Sequence, residues 1–237
     1  MNRIYTLILI GFLFVTCKPS QANLKAVQGK QIAVTDSLES NQMVIEMNAV
    51  LAYAPLSLSK SDGPYNTAIG NMMADTVLEY GDPVFFKKTG KHIDGVVLNH
   101  GGIRSVLRAG DVTMGSAYEI MPFENSIVVV EITSGDVRAM FEYLKTGKAH
   151  PISNMQLILN SENELASATL NGNAIEDGKT YFIATNDYLQ QGGDGMVFFT
   201  NPKSTTILDY KMRSILIDHF TKQDTIAPIR DNRFIKE

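Results

Sequence analysis

The chain has 237 residues, of which 44% are hydrophobic and 19% charged, and its formal net charge is -4. That balance suits one globular domain with a proper core, or at most two small ones, and excludes a disordered chain. It also weighs against a nucleic-acid partner, which calls for a basic stripe, while leaving room for a single mononucleotide held by a few local donors.

The N-terminal stretch "MNRIYTLILIGFLFVTCKPS" begins with Arg3 and runs apolar from Ile4 to Thr16, too short for a comfortable membrane span. It reads as a signal peptide over residues 1–17, ending at Cys17, the only cysteine in the chain. Cys17 is either an incidental thiol or a lipid-attachment site. The segment resembles a bacterial lipoprotein signal, although Thr16 is bulkier than the small residue such signals favour before the cysteine. That resemblance implies a membrane anchor at Cys17, no free thiol and no disulfide. Residues 18–42 are polar and poor in aromatics, as a tether would be, and the folded body is expected over residues 43–237.

Within the body, "TAIGNMMADTVLEYG" spaces Ile69, Met72, Met73, Val77 and Tyr80 as a helix that should stop at Gly81. "DGVVLN" reads as a strand and "HGGIR" as the loop after it. "SIVVVEIT" is a stronger strand, closed by a Ser-Gly turn and followed by a helix over "DVRAMFEYL". "MQLILN" and "LASATLNG" form a hairpin pattern, and "TYFIATN" and "MVFF" read as strands on either side of a glycine-rich loop. "TILDYKMRSILIDHF" has helical spacing throughout. Strands and helices mix without regular alternation, so the expected fold is α+β, with a mixed, largely antiparallel sheet packed against helices.

Three loops sit at the ends of these elements: "LNHGGIR", "MPFEN" and "NDYLQQGGDG". Together they offer two aromatic faces, Phe123 and Tyr188, one guanidinium, Arg104, and the polar groups Asn99, Asn125 and Asp194. Taken singly, each has a plain alternative: core packing for the two rings, a self-bonded turn for Asp194, loop pinning for Asn99 and Asn125.

In their order, these motifs resemble the C-terminal, substrate-binding domain of the 5′-nucleotidases and UDP-sugar hydrolases: an Asn-x-Gly-Gly-Ile-Arg loop, a Pro-Phe-x-Asn turn, and an aromatic ahead of Gly-Gly-Asp-Gly. The resemblance runs from about residue 62 to the last strand. It implies a base clamp of Phe123 and Tyr188, and a ribose acceptor at Asp194, with Gly192 and Gly193 giving the backbone freedom and close approach. It further implies that Arg104 serves the ribose and phosphate side, and that Asn99 and Asn125 face the base edge or pin their loops.

One departure matters. The family carries arginine ahead of its first helix, whereas here "SLSKSDGPYN" has Lys60 as its only cation. Phosphate contact is then weaker, or supplied from another chain. The family's dimetal centre belongs to a different domain, and the four histidines, His92, His100, His150 and His219, form no Asp-x-His or His-x-His segment. No catalytic residue, metal ligand or cofactor is therefore expected in this chain. The implied partner is a separate metallophosphoesterase subunit bearing two divalent metals, and the implied location is the bacterial cell envelope, periplasmic or cell-surface. The alternative is a stand-alone nucleotide- or nucleoside-binding lipoprotein without a hydrolytic role.

Overall fold

The computed structural model describes residues 41–237. The expected signal peptide, Cys17 and most of the tether lie outside the described residues. One compact unit spans Glu46–Glu237. In chain order its elements begin with β1 (Val50–Ala54), α1 (Ala68–Thr89), β2 (Gly95–Val97), β3 (Gly110–Thr113), α2 (Met114–Ile120), β4 (Ser126–Thr133) and α3 (Ser134–Leu144). They continue with β5 (Ile152–Ser153), β6 (Met155–Leu159), β7 (Leu165–Leu170), β8 (Thr180–Asn186), α4 (Asp187–Gln190), β9 (Ser204–Lys211), α5 (Met212–Lys222) and β10 (Phe234–Lys236).

A five-stranded sheet, ordered β5-β2-β8-β4-β9, forms the centre. β2 runs parallel to β8, and the other pairings are antiparallel, so the sheet is mixed as expected. Its strands alternate between two cores, because successive side chains point to opposite faces. Ile127 and Val129 of β4 enter one core with Met73 and Val77 of α1 and Ile215 and Phe220 of α5. Val128, Val130 and Ile132 enter the other with Val137 and Met140 of α3 and Leu157 of β6. Each such side chain contributes roughly 1.5–3 kcal/mol on burial, and this two-sided packing fixes the sheet's register. β1 and β3 form a small antiparallel ribbon, while β6 pairs with β7 as a hairpin and with β10 in parallel.

Four local expectations are corrected. α1 does not stop at Gly81 but continues through Pro83 to Thr89, ending at Gly90 in the left-handed region with φ 71. Gly81 is buried because the packing is tight there: a Cβ would lie 3.3 Å from Leu208 Cδ1. Buried Phe85, one turn further on, holds the continuation against the core. Ser134 and Gly135 are not a turn but the start of α3, capped by Thr133, whose hydroxyl accepts from the Asp136 N–H. The segment "TILDYKMRSILIDHF" is helical only from Met212; Thr205, Thr206 and Ile207 are β-branched and pair with Val130, Val129 and Val128 on the sheet edge. "MVFF" is not a strand either: Val197–Phe199 is a 3-10 turn that buries Phe198 and Phe199.

Topology now places three loops together. Since β2 and β8 are parallel and β4 is antiparallel to β8, the ends of β2 and β8 and the start of β4 share one edge of the sheet. Asn99 follows β2, Asn125 precedes β4, and Tyr188 follows β8.

Candidate functional site

At that edge lies a cleft of about 460 Å³ lined by Asn99, Gly101, Gly102, Arg104, Met121, Phe123, Asn125, Asn186, Tyr188 and Asp194. Six of the eight binding residues expected from the sequence are therefore in one place, and Gly192 and Gly193 belong to the loop that carries Asp194.

Phe123 and Tyr188 are 42% and 46% exposed, which removes the core-packing reading for both. Neither ring packs against another aromatic ring among the described residues. The Arg104 guanidinium lies 5.7 Å from the Phe123 ring centroid and donates to the Gly101 carbonyl at 3.2 Å. Its main-chain N–H is anchored on the Ile120 carbonyl at 2.9 Å.

The turn bearing Phe123 is held from below by α5. Arg213 donates to the Met121 and Phe123 carbonyls at 3.3 and 3.5 Å, pairs with Glu124, and stacks over the Tyr118 ring at 4.0 Å. Lys211 donates to the Glu124 carbonyl at 2.8 Å. Asn125 pins the same turn, its Nδ2 donating to Asp187 Oδ1 at 3.0 Å, while the other carboxylate oxygen of Asp187 accepts from the Ser126 N–H.

The glycine-rich loop divides its work. Gly192 takes φ 89 as the lead into a 3-10 turn. Gly193 gives close approach, since a Cβ there would sit 2.4 Å from the Tyr188 ring. Asp194 follows in the left-handed region, φ 54, with Oδ1 accepting from the Tyr188 hydroxyl at 3.0 Å.

Asn186 escaped the sequence reading. It is buried and caps α4 by accepting from the Leu189 N–H at 2.9 Å, and its Nδ2 donates to Asn99 Oδ1 at 3.3 Å. It thus ties the "LNHGGIR" loop to the Tyr188 helix. An asparagine directly ahead of "DYL" is an N-cap signal that could have pointed to it. Tyr143 gave no comparable signal, because it reaches the site from α3; Met121 and Asp187 stand in two of the quoted loops, where no local pattern marks them out.

His100 lies on the far side of the same loop, its Nδ1 3.3 Å from the Ala149 carbonyl. Burial pushes its pKa below the ordinary imidazole range, against that hydrogen bond, and nearby Lys60 and Lys148 add to the drop. His150 is buried, with Nδ1 accepting from the His100 N–H at 3.3 Å, and desolvation lowers its pKa to about 4. Both rings are neutral at pH 7. Lys60, the lone upstream cation, donates to the Ile103 carbonyl at 2.7 Å and shares a neighbouring cleft with His100, Lys148 and Arg230. Among the described residues no group of three or more His, Cys, Asp or Glu is arranged to hold a metal, and no helix is long and apolar enough to cross a membrane.

The arrangement offers two open π faces, a guanidinium beside one of them, and a fixed carboxylate beside the other. Residues 57–201 match the family described as "5′-nucleotidase, C-terminal domain", and the chain belongs to that family. It is similar to the trifunctional nucleotide phosphoesterase protein YfkN of Bacillus subtilis, 28% identical over 187 residues, which covers 72% of this chain and 12% of that protein. It is also similar to cell wall protein Lmo0130 of Listeria monocytogenes, 28% identical over 201 residues, which covers 75% of this chain and 25% of that protein. The chain thus spans a quarter or less of the length of these two relatives. Its fold resembles that of a 5′-nucleotidase precursor from Thermus thermophilus, with TM-score 0.70 and 17% identity over 86% of this chain and 43% of that one.

Proposed function

We propose that this chain is the nucleotide-recognising half of a 5′-nucleotidase, working with a separate metallophosphoesterase chain. The observation that carries the reading is the meeting, in one cleft, of two half-exposed rings with Asp194 and Arg104. A base enters between Phe123 and Tyr188, where stacking contributes on the order of 1–3 kcal/mol per ring. Asp194 accepts from the ribose hydroxyls, and the Arg104 fork serves the phosphate side. Ordering and association consume much of the gross gain, so the expected Kd for a nucleoside monophosphate lies between about 1 µM and 1 mM.

The described residues supply no dimetal ligand set, so the hydrolytic metals belong to the partner in this reading. Two divalent cations there would activate a water against the phosphate ester. This chain's own task is to hold base and sugar so that the ester is correctly aimed. We place the pair in the cell envelope, with Cys17 as the lipid anchor. The naming of a Listeria relative as a cell wall protein supports that location. Anchoring to a shared membrane raises effective concentration and lets a weak interface suffice.

The test is reconstitution with a separately produced metallophosphoesterase domain of this family. Phosphate release from AMP in manganese is expected from the mixture and from neither protein alone. AMP binding without release from the mixture would leave only a binding lipoprotein, and release by this chain alone would mean that it carries its own metal centre.

A further inference from the structure

We propose that the hydroxyls of Tyr143 and Tyr188 are positioning groups that set the Asp194 carboxylate for a sugar diol, so that they decide between ribonucleotides and dideoxynucleotides. The inference rests on the nucleotide reading above. Asp194 is exposed and occupies φ 54, ψ 16, the left-handed region that few side chains other than asparagine and aspartate enter. An exposed aspartate with a free rotamer would have to be ordered by each ligand it binds. Here both ends of the residue are held beforehand.

The Tyr143 hydroxyl donates to the Asp194 carbonyl at 2.7 Å. Tyr143 belongs to α3, and its ring packs edge-on against Phe198 at 5.6 Å and tilted against His150 at 5.5 Å, so the hydroxyl is delivered from a rigid base. The Tyr188 hydroxyl has one proton, which it gives to Asp194 Oδ1 at 3.0 Å, and it accepts the Asp194 N–H at 3.2 Å. This closed pair fixes the side-chain torsion as well as the main chain. Among the described residues, Oδ2 has no hydrogen-bond donor. That oxygen lies 3.8 Å from where a Cβ of Gly101 would stand, on the side of the cleft bounded by the "LNHGGIR" loop. A carboxylate with one oxygen tied and the other open toward the cleft matches a sugar that brings its hydroxyls past the base clamp. Tyr188 therefore serves twice: its ring lines the base pocket, and its hydroxyl sets the sugar acceptor.

These two roles can be separated, because Tyr188→Phe keeps the ring and Tyr143→Phe keeps the packing of α3. The experiment titrates AMP and 2′,3′-dideoxy-AMP calorimetrically into the full chain, as wild type and as each variant. The wild type is expected to favour AMP by about tenfold or more, and each variant to shrink that ratio by about threefold or more, because AMP loses more affinity than dideoxy-AMP does. A ratio unchanged in both variants, or an equal loss for both ligands, would overturn the inference and leave the tyrosines as packing groups. A wild type that binds both ligands equally would also overturn it while leaving the nucleotide reading intact. A wild type that binds neither would overturn that reading and this inference with it.

Discussion

Tyr188 depends on a neighbour that has no side chain. The ring occupies the space a Cβ at Gly193 would need, with three ring atoms 2.4 to 2.6 Å from that position. Gly193→Ala should therefore displace the ring rather than unfold the domain, because Tyr188 is half exposed and has room to move. The expected result is an AMP affinity lowered by about tenfold or more, with an unchanged far-UV circular dichroism spectrum; unaltered affinity would mean that the ring is no part of the binding surface. At this scale the sequence was informative where a motif named a chemistry, and silent where a residue works through another. Phe123 and Asp194 stand in legible motifs. The fate of Asn125 was left open between base edge and loop, and its Nδ2 bond to Asp187 now gives it a pinning role. Tyr143 reaches the site only through a contact made across the fold, and the tie between Asn186 and Asn99 is likewise long-range.

Among the elements, the terminal strand pairs with β6 and is further tied to α1 and β5 by one side chain. Arg233, just before β10, is largely buried and donates to both oxygens of Asp75 on α1 at 2.8 Å, to Asp231, and to the Ile152 carbonyl of β5 at 2.7 Å. Arg233→Met keeps much of the volume but strips these acceptors of their donor. The expected loss is about 1–3 kcal/mol of unfolding free energy, read by urea denaturation, with both carboxylates half exposed and thus partly rescued by water. A variant as stable as the wild type would show that pairing with β6 and the packing of Phe234 suffice to hold β10. Strand β4 was legible because its apolar run is β-branched and two-sided. The start of α5 was not, since Leu208 and Met212 fall at helical spacing by coincidence while the residues before them pair with the sheet edge. Gly81 misled for a similar reason: it sits in close contact with Leu208 inside the helix rather than at a chain stop.

For the whole molecule, stability should rise with pH across the imidazole range. His150 has its pKa lowered from 6.5 to about 4 by burial, and His100 and His219 are lowered too, in both cases mainly by burial. A group that is harder to protonate when folded binds fewer protons in the native state than in the unfolded one. Its contribution is then fully present above the unfolded value and is lost as pH falls from about 6.5 toward 4. Unfolding free energy measured between those values should increase with pH, and His150→Asn should flatten the slope; a slope of opposite sign would contradict a buried neutral His150. The convergence of the three loops also belongs to this scale. It follows from the parallel pairing of β2 with β8, strands far apart in sequence, which no local pattern encodes.

The central claim is that the cleft between Phe123 and Tyr188 holds a nucleobase. Calorimetric titration of AMP into the wild type and Phe123→Ala tests it most directly. The account predicts saturable binding with a Kd between about 1 µM and 1 mM, weakened about tenfold or more by the substitution. Absence of binding to the wild type, or identical titrations of the two proteins, would contradict it.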